Sequence, residues 1–91
     1  MTDKEILDAV KLDLRIDYDD LDADIAANIK AAGIDLGIAG VANTDELTMR
    51  AIKLFCRRQY DFDGRADAYD KAYEALKKVL AIARGGADNG A

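Results

Sequence analysis

The sequence predicts an all-α protein, four helices in a small compact bundle with a disordered C-terminal tail. Three observations carry that prediction. Four stretches repeat apolar residues at three- and four-residue steps, and none alternates with the period of two that a half-buried strand needs. Proline is absent from all 91 residues, so nothing interrupts a helical hydrogen-bond ladder. Glycine, Asn and Asp gather between the four stretches, where turns belong. The length is that of a single domain, taken as residues 1–84, with residues 85–91 as a Gly-, Ala- and Asp/Asn-rich tail.

The first helix, about residues 3–14, opens with Thr2 and Glu5 in capping-box spacing: the hydroxyl accepts from the backbone three residues on, and the carboxylate reaches back. Ile6, Leu7, Val10 and Leu14 supply its apolar stripe. The second begins in the acidic run Asp17-Tyr18-Asp19-Asp20, where one aspartate is expected to cap. Asp22 and Asp24 then favour the positive end of the helix dipole. Leu21, Ile25, Ile29, Ala32 and Leu36 form one stripe. Gly33 weakens this helix by about 1 kcal/mol relative to Ala and permits a bend. Gly37 and Gly40 offer a left-handed stop. Asn43 or Thr44 should cap the third helix, roughly residues 45–61. Met49, Ile52, Phe55 and Cys56 make its main apolar face, with Leu47, Ala51 and Leu54 on the other side. A helix apolar on two sides sits centrally or shares one side with a neighbouring subunit. Asp63-Gly64 breaks the chain before a fourth helix at residues 66–83, with Tyr69, Ala72, Tyr73, Leu76, Val79, Leu80 and Ala83 on one face. Ile6, Val10, Leu14, Leu21, Ile25, Ile29, Ile52, Phe55, Tyr73, Leu76 and Leu80 are the expected core.

Composition narrows the function. The apolar fraction is 51%, but much of it is alanine, and only Phe55, Phe62 and four tyrosines are large aromatics. A chain this short buries about 60–65% of its unfolded surface, so its core is thin. One cysteine and no histidine leave neither a disulfide nor a zinc cluster as reinforcement, which leaves helix packing and self-association. A net charge of −5 argues against non-specific binding to nucleic acid or anionic membrane. The charge is uneven: residues 1–25 carry nine acids against three bases, and residues 26–91 nine against ten. Such a polarity suits subunits meeting head to tail, and equally a solvated acidic turn. The acidic, polar start Met-Thr-Asp-Lys-Glu is unlike a signal peptide, so a cytoplasmic site of synthesis is expected.

The constellations that might carry chemistry are few. A calcium loop needs oxygen ligands at loop positions 1, 3 and 5, Gly at 6 and Glu at 12. From Asp17 those last positions fall on Asp22 and Asn28, and from Asp20 on Ile25 and Ala31, so both registers fail. No metal and no cofactor are expected. Without histidine the commonest general base is missing, and Cys56 lies on an apolar helix face with no activating partner. The glycines form no phosphate loop. An enzyme is not expected. Arg50, Lys53 and Arg57 share a face of the third helix at i, i+3, i+7, with Arg58 nearby. On a recognition helix such a row would meet phosphates or guanine edges. The connection before it, however, is long and glycine-bearing, unlike a helix-turn-helix turn. Pairing with the acids Asp17, Asp19, Asp20, Asp22 and Asp24, on another helix or subunit, is the expected use. The stretch Tyr60-Asp61-Phe62-Asp63-Gly64-Arg65-Ala66-Asp67-Ala68-Tyr69 interleaves aromatics with charge, as an interface centre or a core-anchored loop does. Tyr60, Phe62 and Tyr69 therefore join the candidate interface residues.

Leu14-Arg15-Ile16-Asp17-Tyr18-Asp19-Asp20, following Val10-Lys11-Leu12-Asp13 and leading through Leu21-Asp22 into an Ala/Ile-rich helix, resembles the opening of the short head–tail connector (adaptor, DNA-packaging) family of tailed bacteriophages. The likeness continues through a third helix at 47–60 and an amphipathic closing helix at 69–83. Where many members end in a Pro-Tyr-Arg-like sequence, this chain has Ala83-Arg84-Gly85. The resemblance implies a virion protein assembled in the host cytoplasm, in a ring of identical subunits, commonly about twelve, with closed symmetry. That ring would dock under the portal protein and join it to the next tail-proximal or head-completion component. DNA would pass through the lumen without being read. The alternative is a small intracellular helical DNA-binding regulator or antitoxin-like adaptor.

Overall fold

A computed structural model of the protein describes residues 2–37, 45–60 and 64–83. Among them are four helices and no strand: α1 (Asp3–Leu14), α2 (Asp22–Asp35), α3 (Glu46–Tyr60) and α4 (Ala66–Ala83). The all-α, four-helix expectation holds. The disordered tail expected at 85–91 lies outside the described residues, as do Asn43, Thr44 and Gly40.

α1 opens on the expected capping box. Thr2 Oγ1 accepts from the Glu5 N–H at 3.2 Å, and Glu5 Oε1 accepts from the Thr2 N–H at 2.7 Å. Its end is less ordinary. Arg15 takes the left-handed conformation (φ 60°, ψ 40°), donating to Leu12 O, while the Ile16 N–H reaches back to Lys11 O. This is the Schellman closure, normally built on glycine. It turns the chain so that Ile16, only 5% exposed, joins Val10 in the core.

The start of α2 departs from expectation. Leu21 occupies the N-cap position, and no side chain caps the helix. Asp19, an expected cap, sends its carboxylate 2.8 Å to Lys11 Nζ, and Asp22 Oδ1 lies 2.7 Å from the same ammonium. The lysine ammonium gives these carboxylates a partner that is itself charged, in place of the backbone N–H groups of a cap. Asp19 contributes through its backbone, its carbonyl accepting from the Asp22 N–H at 3.1 Å. α2 runs through Gly33, which is buried, and stops where Gly37 adopts φ 75°.

Asp45 caps α3: its Oδ1 accepts from the Thr48 N–H at 2.8 Å. Gly64, at φ 72°, precedes α4. α3 packs against all three other helices. α4 lies along α3 alone, reaching α2 through the long side chains of Tyr73 and Lys77. Nine of the expected core residues are buried, from Ile6 and Val10 through Ile52 and Tyr73 to Leu80, while Leu21 and Leu76 are half-buried. Ile16, Ala32, Met49, Ala51 and Cys56 complete the buried apolar core. Ala51 is fully buried despite its expected place on the far side of α3, which packs against all three other helices. The molecule is flattened, 44 × 29 × 18 Å, and its short dimension is about two helix layers. One side of α3 and much of α4 are left facing outward.

Candidate interaction surface

The basic row of α3 divides at Arg57. That guanidinium grips Asp13 at the end of α1 in a fork: Nε to Oδ2 at 2.7 Å and Nη2 to Oδ1 at 3.1 Å. Nη1 donates to Tyr69 Oη at 3.1 Å, and the charge lies over the Tyr69 ring, 5.4 Å from its centre. The hydrogen bond from Arg57 to Asp13 raises the Arg57 pKa well above its usual value. Arg57 and Tyr69, both singled out as interface residues, thus tie α1, α3 and α4 together within one subunit. Arg58 turns the other way. It meets Asp70 at 2.6 Å and lies over Phe55 and Tyr73, whose rings pack edge to face at 5.4 Å.

Arg50 and Lys53 make no ion pair among the described residues. They line an open trough of about 990 Å³ between α3 and α4. Met49, Leu54 and Leu76 contribute its apolar floor, Ala72, Ala75 and Val79 its α4 wall. Asp13, held by Arg57, edges it, and Asp45 and Glu46 stand at the α3 N-terminal end. Val79 is 52% exposed and Ile82, further along α4, 71%. An apolar strip of this kind beside Arg50 and Lys53 suits a partner that is apolar at its centre and acidic where it meets them.

The acidic segment is not brought to this trough. Lys11 holds Asp19 and Asp22, and its pKa rises through its hydrogen bonds to them, Asp19 first. Asp24 accepts the Tyr60 hydroxyl, which also receives Asn28 Nδ2 at 2.9 Å. Burial, then Asp24, pushes Tyr60 up to about 12. Tyr60 is therefore a strut between α2 and α3. Asp17 and Asp20 remain exposed and make no ion pair among the described residues. Phe62 lies outside the described residues.

Two features are not apparent from the expected faces. Ala72 and Val79 were placed on one face with Tyr73 and Leu80, yet the second pair is buried and the first exposed. A signal for this exists: Ala68, Ala72, Ala75, Val79 and Ile82 recur at four- and three-residue steps as a second apolar stripe. The Asp13–Arg57 tie, spanning 44 residues, leaves no local trace. Cys56 is fully buried, and burial pushes its thiol up to about 12. Among the described residues no helix is long and apolar enough to cross a membrane, and no three potential ligands gather as a metal site. Compared with known proteins, the chain matches no family model, no curated protein and no solved structure.

Proposed function

We propose that this chain is a structural subunit of the head–tail connector of a tailed bacteriophage. It forms a homo-oligomeric ring between the portal and the tail-proximal components, and DNA passes through the lumen. The observation that carries the reading is the α3/α4 trough. A thin-cored chain leaves an apolar strip of its central and last helices uncovered, beside two cations that make no ion pair among the described residues. Such a surface is built to bind, and the protein acts by assembly, with no reaction of its own. The turn Leu14–Asp20 and the order of four helices support the family resemblance. A net charge of −5 suits a ring through which a polyanion slides without adhering.

Light scattering on a size-exclusion column, with negative-stain imaging of any large species, tests this. A ring of about a dozen copies is expected from the family resemblance, closed as most homo-oligomers are. A second reading, a DNA-binding regulator, draws on Arg50 and Lys53 lining the trough about one helical turn apart. It predicts a tight dimer whose salt-sensitive shift of duplex DNA vanishes in an Arg50→Glu, Lys53→Glu variant. That outcome would overturn the connector reading.

A further inference from the structure

We infer that the α3/α4 trough receives the outer face of α1, with the turn after it, from a second copy of the chain. The inference rests on the assembly reading above and adds which two surfaces meet.

The outer face of α1 is the complement of the trough within the same sequence. Leu12 is 80% exposed, the most exposed large apolar residue among those described. Asp8 and Glu5 stand four and seven residues before it, on the same side of the helix. Tyr18, 48% exposed, follows in the turn between the exposed Asp17 and Asp20. The bases of this region offset only part of those acids, for Arg15 is exposed and makes no ion pair among the described residues. Lys4 is paired with Asp8, and Lys11 is held between Asp19 and Asp22. Glu5, Asp8, Asp17 and Asp20 still outnumber Lys4 and Arg15, so α1 and the turn present an apolar centre in a net acidic surround. The trough presents an apolar floor beside Arg50 and Lys53, with Asp45 and Glu46 at one end and Asp13, paired to Arg57, at its edge.

Neither surface suits itself. Two troughs related by an axis near Arg50 and Lys53 would oppose those cations, and two α1 faces would oppose acids. Unlike surfaces on one chain make a head-to-tail contact, which closes to a ring where the rotation between copies allows it. Both can be engaged at once. Asp13 is the α1 residue at the trough edge, whereas Leu12 points away from the core.

Two full-length variants test this, each disabling one surface at exposed or half-exposed positions, with circular dichroism to verify folding. Leu12→Arg places a cation where the trough's cations would meet it. Arg50→Glu with Lys53→Glu reverses the trough wall. Each alone should lose the higher-mass species of the wild type. Mixed, each supplies the surface the other lacks, so a complex of at least twice the 9.9 kDa subunit mass should form. Should the wild type form a ring that either variant forms equally well, these surfaces are wrong while the ring reading stands. A DNA-shifting dimer would remove both. For a wild type that stays a single subunit, the isotope-labelled Leu12→Arg variant is titrated with the unlabelled double variant to about 1 mM, the limit of weak binding. Amide shifts along Leu54, Leu76 and Val79 support the contact, and their absence overturns it.

Discussion

Arg15 shows how the burial of the next residue can hold a backbone against its own preference. A left-handed backbone costs an L-residue about 1–2 kcal/mol, and a helix C-terminus of this kind normally has glycine there. Here the αL turn is what brings Ile16 into the interior after α1 ends at Leu14. The Arg15 side chain is exposed and makes no hydrogen bond or ion pair among the described residues. Arg15→Gly should therefore raise stability, by roughly 0.5–1 kcal/mol once the greater freedom of glycine in the unfolded chain is counted. The urea midpoint should move up with an unchanged slope. A lower midpoint would mean that the guanidinium contributes a contact. The apolar stripe places the end of α1 correctly at Leu14, but nothing in Leu-Arg-Ile-Asp announces a left-handed arginine. The burial of Ile16 imposes that conformation, and burial is not a local property.

At the level of elements, side-chain ties orient the helices. The last residue of α2, Asp35, accepts from Tyr73 Oη at 2.5 Å and from Lys77 Nζ at 3.1 Å, joining α2 to α4 across α3. Those two hydrogen bonds, the Tyr73 one first, hold the Asp35 carboxyl below its usual range. A lowered folded pKa means that the unfolded chain takes up the proton more readily. The stabilisation is thus complete above about pH 4, near the ordinary Asp value, and is lost as pH falls through the lowered folded value. The Asp35 side chain is 44% exposed, so the contribution is screened to below about 1 kcal/mol. Asp35→Asn should remove that part of the acid destabilisation, giving a flatter melting-temperature profile below about pH 4. A profile as steep as the wild type would mean that other carboxylates set it. Helix extents and the α1 cap are legible in the sequence because apolar periodicity and capping act within a few residues. The start of α2 is not, because Asp19, which looks like a cap, lies eight residues from a lysine that claims its carboxylate.

At the scale of the whole molecule, four helices flattened to about two layers leave α4 covered on one side only. Leu12, Ile34, Val79 and Ile82 are all more than half exposed. In the proposed assembly, association would add to folding, since whatever binds the folded state alone stabilises it by mass action. The melting temperature should accordingly rise with protein concentration, and calorimetry over a hundredfold range measures it; a constant value would describe a self-sufficient monomer. By itself the sequence determined the fold class, the extents of α1 and α4 and most of the core, because period, capping and the absence of proline act locally. It also carried the polarity of charge from front to back. Only the tertiary structure decided that Arg57 and Tyr69 serve the inside of the subunit while Arg50 and Lys53 face the open trough. It likewise decided which apolar stripe of α4 is buried. Periodicity marks a face as apolar without saying what it meets, and that depends on which helices the turns bring alongside.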